Sequence, residues 1–218
     1  MSTLLSASPV ENAMLSEIAK LGLFKRPTIN KLHYSTKPLP LNVVNIILKW
    51  LPRIYEEHVG SGEHLIRALV LTEEDFDPKV IIDLFENTDY NSSLKWTMAY
   101  VLSISRVGDV SSYIKNQLFN KPENFERAGF LSALEANADF KSRDELVEAL
   151  KRLFDKYIFH GKIFLLFRKF GRKEDIPFLE KRLKNSDKKK TREIEKVILG
   201  IKNRKREPVF PQKKKFIA

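Results

Sequence analysis

The sequence predicts an all-α chain: a superhelix of about five stacked helix pairs behind one N-terminal helix. Three observations carry this. Apolar residues return at steps of three and four through short segments, which places them on one face of a helix. Acidic capping positions line up at Asp77, Asp109, Asp144 and Asp175, separated by 32, 35 and 31 residues. Units of that length, each too small to bury its own apolar face, stack into solenoids. Finally, Gly is scarce, at 8 residues, and turn signals are far apart, whereas a β-sandwich or barrel needs one every ~8–12 residues.

The first helix starts at Ser8-Pro9. Ser8 and Glu11 spell a capping box, Pro9 suits the first helical position, and Gly22 marks the end. Met14, Leu15, Ile18 and Ala19 form its stripe. Residues 25–40 carry three prolines and no periodicity, so they read as an irregular connection. Leu41, Val44, Leu48, Leu51 and Tyr55 then define a helix that contains Pro52. VGSGE (59–63) reads as a break before the short apolar helix EHLIRALVL (63–71).

The pair recurs. Asp77-Pro78 opens a helix with Val80, Ile81, Leu84 and Phe85, and SLKWTMAYVLSIS (93–105) is its partner. Gly108-Asp109-Val110 opens the next, with Tyr113, Ile114 and Leu118, paired with FERAGFLSALEA (125–136). Ser142 and Glu145 form a second capping box before Leu146, Leu150, Leu153, Phe154 and Tyr157, paired with GKIFLLFRKF (161–170). In GRKEDIPFLEKRLKN (171–185), Asp175 caps, Ile176 is N1 and Pro177 is N2, so the proline begins a helix rather than ending one. Asn42, 35 residues before Asp77, holds the equivalent place in the first pair.

GDVSSYIKNQL (108–118) and EDIPFLEKRL (174–183) resemble the first-helix pattern of HEAT-like repeats, especially the short variant related to the phycobilisome-lyase repeat. In that pattern Asp, an aliphatic residue, a Leu-Leu type pair and a further Leu recur at these offsets. The resemblance covers roughly residues 41–203 and implies an α-solenoid. It says little about activity, because the repeated residues are core. The first two pairs lack the Gly-Asp punctuation, and the 15 Phe are unusual for the family. Tetratricopeptide repeats have a similar period, but their Trp, Gly and Tyr positions are not found. The resulting organisation is an N-terminal helix and connection (1–40), a repeat region (41–204) and a basic, flexible C-terminal arm (205–218).

Charge is unevenly spread. Residues 1–140 hold 14 Lys/Arg against 17 Asp/Glu, residues 141–185 hold 13 against 7, and residues 186–218 hold 12 against 4. The net charge of +11 therefore comes from the last third of the chain, a statement about partners rather than fold. Cysteine is absent, which excludes disulfides, Cys-zinc sites and thiol chemistry and fits a cytoplasmic protein. The N-terminus has no basic n-region, and no apolar run is long enough to insert in a membrane.

Thirteen cations are candidates for contact with an acidic partner. Lys95, Arg127, Lys162, Arg168, Lys169 and Arg172 lie on or just after second helices, which commonly line a solenoid's binding face. Lys188, Lys189, Lys190, Arg192, Arg204, Lys205 and Arg206 belong to the C-terminal clusters, which also include Lys213–Lys215. A solvated terminal cap accounts for the same run, with Ile194, Val197, Ile198 and Ile201 packed inward.

Other constellations carry less. EEHVGSGEH (56–64) holds two Glu-His pairs but matches no zinc spacing, and His33 and His160 are isolated. Its GSG is followed by no Gly-Lys-Ser/Thr, and there is no Gly-x-Ser-x-Gly elbow. Trp96 and Tyr100 lie one turn apart and could stack on a base, but an apolar helix makes them core. The expected function is a non-catalytic, cofactor-free binding protein that docks a protein partner with an acidic surface. The alternative is a nucleic-acid-binding protein, which a fold-level likeness to HEAT-like alkylpurine DNA glycosylases would extend to catalysis.

Overall fold

Short amphipathic segments leave each helix with one face that needs a neighbour, and the neighbours come from the adjoining segments. The computed structural model describes residues 8–87, 89, 92–135, 139–156, 161–184, 186–206 and 210. Tyr157, His160, Lys213–Lys215 and most of the 205–218 arm lie outside them. Among the described residues the chain is all-helical, with two isolated backbone bridges. The elements are α1 (Pro9–Lys20), α2 (Ile29–His33), α3 (Leu41–Glu57), α4 (Val59–Ala68), α5 (Lys79–Asn87), α6 (Ser92–Ile104) and α7 (Ser111–Phe119). A 3-10 segment (Arg127–Glu135) precedes α8 (Arg143–Phe154) and α9 (Gly161–Phe170). A 3-10 turn (Lys173–Asp175) leads into α10 (Ile176–Leu183), and α11 (Lys188–Lys202) follows.

The helices pack in consecutive pairs: α3 with α4, α5 with α6, α7 with the long 3-10 segment, α8 with α9, and α10 with α11. Second members also form a series, α4 on α6, α6 on the 3-10 segment, that segment on α9, and α9 on α11. First members follow suit where α1 meets α3, α3 meets α5, and α7 meets α8. The principal contacts thus join each pair to itself and to the next. Aromatic rings fill the later layers. Phe154 lies 5.5, 5.8 and 5.6 Å from Phe164, Phe167 and Phe178, and Phe130 bridges Phe85 and Tyr113 at 5.3 and 5.8 Å. Each such edge-to-face contact adds about 0.5–1.5 kcal/mol beyond area burial.

The repeat period reappears as cross-layer bonds. Glu17 accepts from Lys49 at 3.0 Å and from Trp50 Nε1 at 2.8 Å. Arg67 donates to Thr97 at 3.2 Å, Gln117 to Glu86 at 2.5 Å, and Arg143 to Asp175 at 2.6 Å. All span 30 to 33 residues. The linkers do the same through backbone. The Leu39 N–H donates to Leu71 O at 2.9 Å and the Glu73 N–H to Leu39 O at 3.0 Å. One layer on, the Phe76 N–H donates to Arg106 O at 3.3 Å and the Gly108 N–H to Phe76 O at 2.9 Å.

Several expectations hold at atomic detail. The Glu11 N–H donates to Ser8 Oγ at 3.2 Å and the Ser8 N–H to Glu11 Oε2 at 3.0 Å, which completes the box. Gly22 has φ +70°, just past the end of α1. Asp77 and Asp109 accept from the N–H groups of Lys79 and Ser111 at 2.9 and 3.0 Å. Pro177 stands in the first turn of α10.

Other expectations are corrected. Residues 29–33 form α2, capped by Thr28 Oγ1, which accepts from the Lys31 N–H. VGSG is the first turn of α4, not a break. His58 alone interrupts the chain, and its Nδ1 accepts from the Ser61 N–H at 3.1 Å. Gly62 is there for space, since a Cβ would fall 2.8 Å from the Tyr55 ring. Asn42 sits inside α3, whose N-cap is Pro40. Asp144 lies in the first turn of α8, capped by Ser142, and the Glu145 carboxylate accepts from the Lys141 N–H rather than from Ser142. Residues 127–135 are 3-10, pressed against α6, where a Cβ on Gly129 would meet Trp96 O at 2.6 Å and Ala99 Cβ at 2.8 Å.

Asp175 occupies the expected position but does not cap α10 with its side chain. It accepts instead from the Arg172 N–H at 2.8 Å and from Arg143 at 2.6 Å, with Lys151 at 3.1 Å. Arg143 and Asp175 side chains are 10% and 6% exposed. Burial pushes the Asp175 carboxyl up, but the Arg172 N–H, Lys151 and Arg143 outweigh it and hold it below the usual carboxylate value.

Two outcomes follow for stability. Gly129→Ala is expected to lower stability by about 1–3 kcal/mol through overpacking, while Gly161→Ala, whose Cβ meets nothing within 4 Å, stays within about 0.5 kcal/mol; thermal unfolding of both variants checks this. Asp175→Ala leaves two cations without their buried partner and is expected to cost about 3–5 kcal/mol. Because its native pKa is depressed, the Asp175 contribution is fully present above the ordinary value of 3.8 and is lost as pH falls through the lower native value. Urea unfolding of wild type and Asp175→Asn should therefore show a gap that is constant from pH 5 to 8 and closes only in stronger acid.

Candidate protein-docking surface

The thirteen candidate cations divide by what they touch. Lys95 stands over the Phe85 ring at 5.7 Å. Arg127 donates to Gln117 Oε1 at 2.9 Å and to Pro122 O at 3.1 Å. Lys162 and Lys169 both close on Glu135, Lys169 at 2.8 Å. Burial pushes the Glu135 carboxyl up, but the two lysines prevail and hold it below its usual value. Arg172 lies 3.8 Å from Asp144. Arg204 donates to Gly171 O at 2.5 Å and to Arg168 O, so it satisfies carbonyls at the C-terminal end of α9. Six of the thirteen therefore have partners within the chain.

The other seven are Arg168, Lys188, Lys189, Lys190, Arg192, Lys205 and Arg206. All are exposed, and among the described residues their side chains make no ion pair or hydrogen bond. Six of them sit on α11 or just past it. Asp187 caps that helix by accepting from the N–H groups of Lys189 and Lys190 at 2.9 Å each. These bonds, Lys190 first, hold its carboxyl below the usual value despite some desolvation. Three lysines in a first turn oppose the helix dipole, which favours acidic groups there. Ile194, Val197, Ile198 and Ile201 face inward as the spacing indicates.

Sequence reasoning missed Leu199. It is the one large apolar residue of α11 off that inward stripe, and it is 59% exposed. It stands in a groove of about 580 Å³ between α10 and α11, with Leu183 and Ile198 beside it. Arg192, Lys196 and Lys202 line the edges with Glu180 and Glu195. Lys196 pairs with Glu193 at 2.6 Å and Lys202 with Glu180 at 3.5 Å. A second groove, of about 520 Å³ between α7 and α8, is lined by cation–aromatic pairs: Arg152 over Phe119 at 4.6 Å and Lys115 over Phe140 at 4.9 Å. The described part of the arm returns to the core at Phe210, 5.9 Å from Phe170.

The remaining constellations resolve into structural roles. Trp96 and Tyr100 stack on each other at 5.2 Å and 9°, half-buried rather than fully buried. His33 is not isolated: its ring lies 4.7 Å from that of His64, and its Nδ1 is 3.1 Å from His64 O, which ties α2 to α4. His58 is spent on capping. Among the described residues no three His, Cys, Asp or Glu are placed to hold a metal ion, and no helix is long and apolar enough to cross a membrane.

Comparison with protein-family models, with curated proteins and with solved structures finds no match for this chain. Among the described residues the chain is an all-α protein of packed helix pairs, with unpaired cations on α11 beside an apolar groove.

Burial, followed by the neighbouring His33, keeps the His64 imidazole below its ordinary value of 6.5. Stability linked to neutral His64 is then present above 6.5 and is lost as pH falls through the lower native value. His33→Ala should move the His64 titration, followed by NMR, back upward.

Proposed function

We propose that the chain is a HEAT-like solenoid that works as a non-catalytic docking protein in the cytoplasm, and that its basic C-terminal layer receives a protein partner with an acidic surface. The nearest-neighbour packing of five helix pairs supports the solenoid reading. The absence of cysteine fits a reducing compartment. The observation that carries the docking reading is the division of the basic residues. Lys162, Lys169, Arg172 and Arg204 are used to hold layers together, while four of the seven candidates without a partner among the described residues, Lys188, Lys189, Lys190 and Arg192, lie on α11, the helix that carries exposed Leu199. A phosphate backbone calls for a continuous row of free cations. A protein interface calls for apolar surface ringed by charge, which is the pattern around α11.

The test is a binding titration of labelled single- and double-stranded DNA and RNA across a salt series, with affinity capture from the native cell run in parallel. At physiological salt the nucleic acids are expected to bind no more tightly than the ~10⁻⁴–10⁻⁶ M of sequence-independent attraction. Acidic proteins retained by the wild type should be lost by the triple variant Lys188→Glu, Lys190→Glu, Arg192→Glu. Nanomolar nucleic-acid binding with a steep salt slope would overturn the reading in favour of a nucleic-acid-binding protein.

A further inference from the structure

The partner's form can be read from the surface of α11, the last helix among the described residues. This helix keeps its inward stripe on α9 and α10, yet it also carries Leu199 on another face, with Leu183 of α10 beside it. Arg192, Lys196, Leu199 and Lys202 stand at steps of four, three and three, so they share one side of the helix. A row of this kind is about 15 Å long at 1.5 Å per residue, the length of a three-turn helix. Its apolar centre is flanked by Arg192, Lys196 and Lys202 together with Glu180 and Glu195; Lys196 and Lys202 are paired with Glu193 and Glu180, Arg192 has no partner among the described residues, and Lys188, Lys189 and Lys190 lie beyond the N-terminal end of the row.

Resting on the docking reading above, we propose that this groove takes an amphipathic helix of a partner protein, apolar on one face and lined with Asp and Glu at its edges. The helix lies along α11. Leu183, Ile198 and Leu199 receive its apolar residues at positions i, i+3 or i+4 and i+7. Arg192 and the Lys188–Lys190 cluster, which have no partner among the described residues, meet its carboxylates. Charge argues against a second copy stacking head to tail, because residues 1–40 carry five Lys/Arg against two Asp/Glu. It also argues against the chain's own end, PQKKKFIA (211–218), whose three lysines would face the cations of the rim.

The test is selection of a displayed library of random 16-residue peptides on the full chain at physiological salt, followed by titration of the enriched peptides against wild type, Leu199→Glu and Lys188→Ala/Lys189→Ala/Lys190→Ala. Leu199 is exposed, so its replacement leaves the core intact. Enriched peptides are expected to share Asp or Glu with apolar residues at helical spacing, to gain helical circular dichroism on binding, and to lose at least tenfold in affinity on Leu199→Glu. Acidic peptides without that spacing, bound equally by Leu199→Glu, would overturn the groove and leave the acidic-partner reading standing. Enrichment without acidic residues would overturn both. A Leu199-dependent dimer in sedimentation, or displacement of the selected peptides by PQKKKFIA added in trans, would give the groove to a second copy or to the chain's own end and overturn the proposal.

Discussion

Everything in this molecule follows from one constraint: no helix pair is large enough to bury its own apolar face. The amphipathic helices are mostly 8 to 17 residues long, and helices this short are marginal alone in water. Their stability must come from neighbours. The chain meets that need locally, with each pair covered by the next. The same short-range logic explains why polar side chains at one-repeat separation, such as Glu17 with Trp50 or Glu86 with Gln117, face each other. It also explains why glycine matters at Gly62 and Gly129, where backbone and ring surfaces come too close for a Cβ.

Basic residues serve the same constraint before they serve any partner. Arg143 satisfies Phe170 O at 2.7 Å while holding Asp175. Lys156 donates to Leu118 O and Lys121 O at 2.8 Å each, and Arg204 to the end of α9. Each places a cation at carbonyls near a helix C-terminus, where the dipole is negative and acceptors are unfilled. Much of the positive charge of the last third is therefore structural.

Function on such a scaffold is a property of its surface, since the repeated residues are consumed by packing. The neutralisation of Glu135 by two lysines removes charge from the face of the second helices that a cationic ladder would need. The stacking of Trp96 on Tyr100 likewise gives each ring a partner of its own chain. Among the described residues, Lys188, Lys189, Lys190 and Arg192 stay unpaired on α11, the helix that carries exposed Leu199.

The sequence by itself determined the helical class, the pairing, the period, the start of α1 at Ser8 and the role of Pro177, because these depend on local propensity, capping and spacing. It also placed the charge. It could not tell which cations were free, because that depends on residues 27 to 36 positions away, as with Lys162 and Glu135 or Arg204 and Arg168. Nor could it show that VGSG begins a helix or that residues 127–135 tighten to 3-10 form, since both depend on where another element presses. Leu199 was visible as an apolar residue off the inward stripe, but only the packing of α10 against α11 turned it into the wall of a groove. Local rules set what each segment becomes, and contacts one repeat away decide which of its side chains are left over.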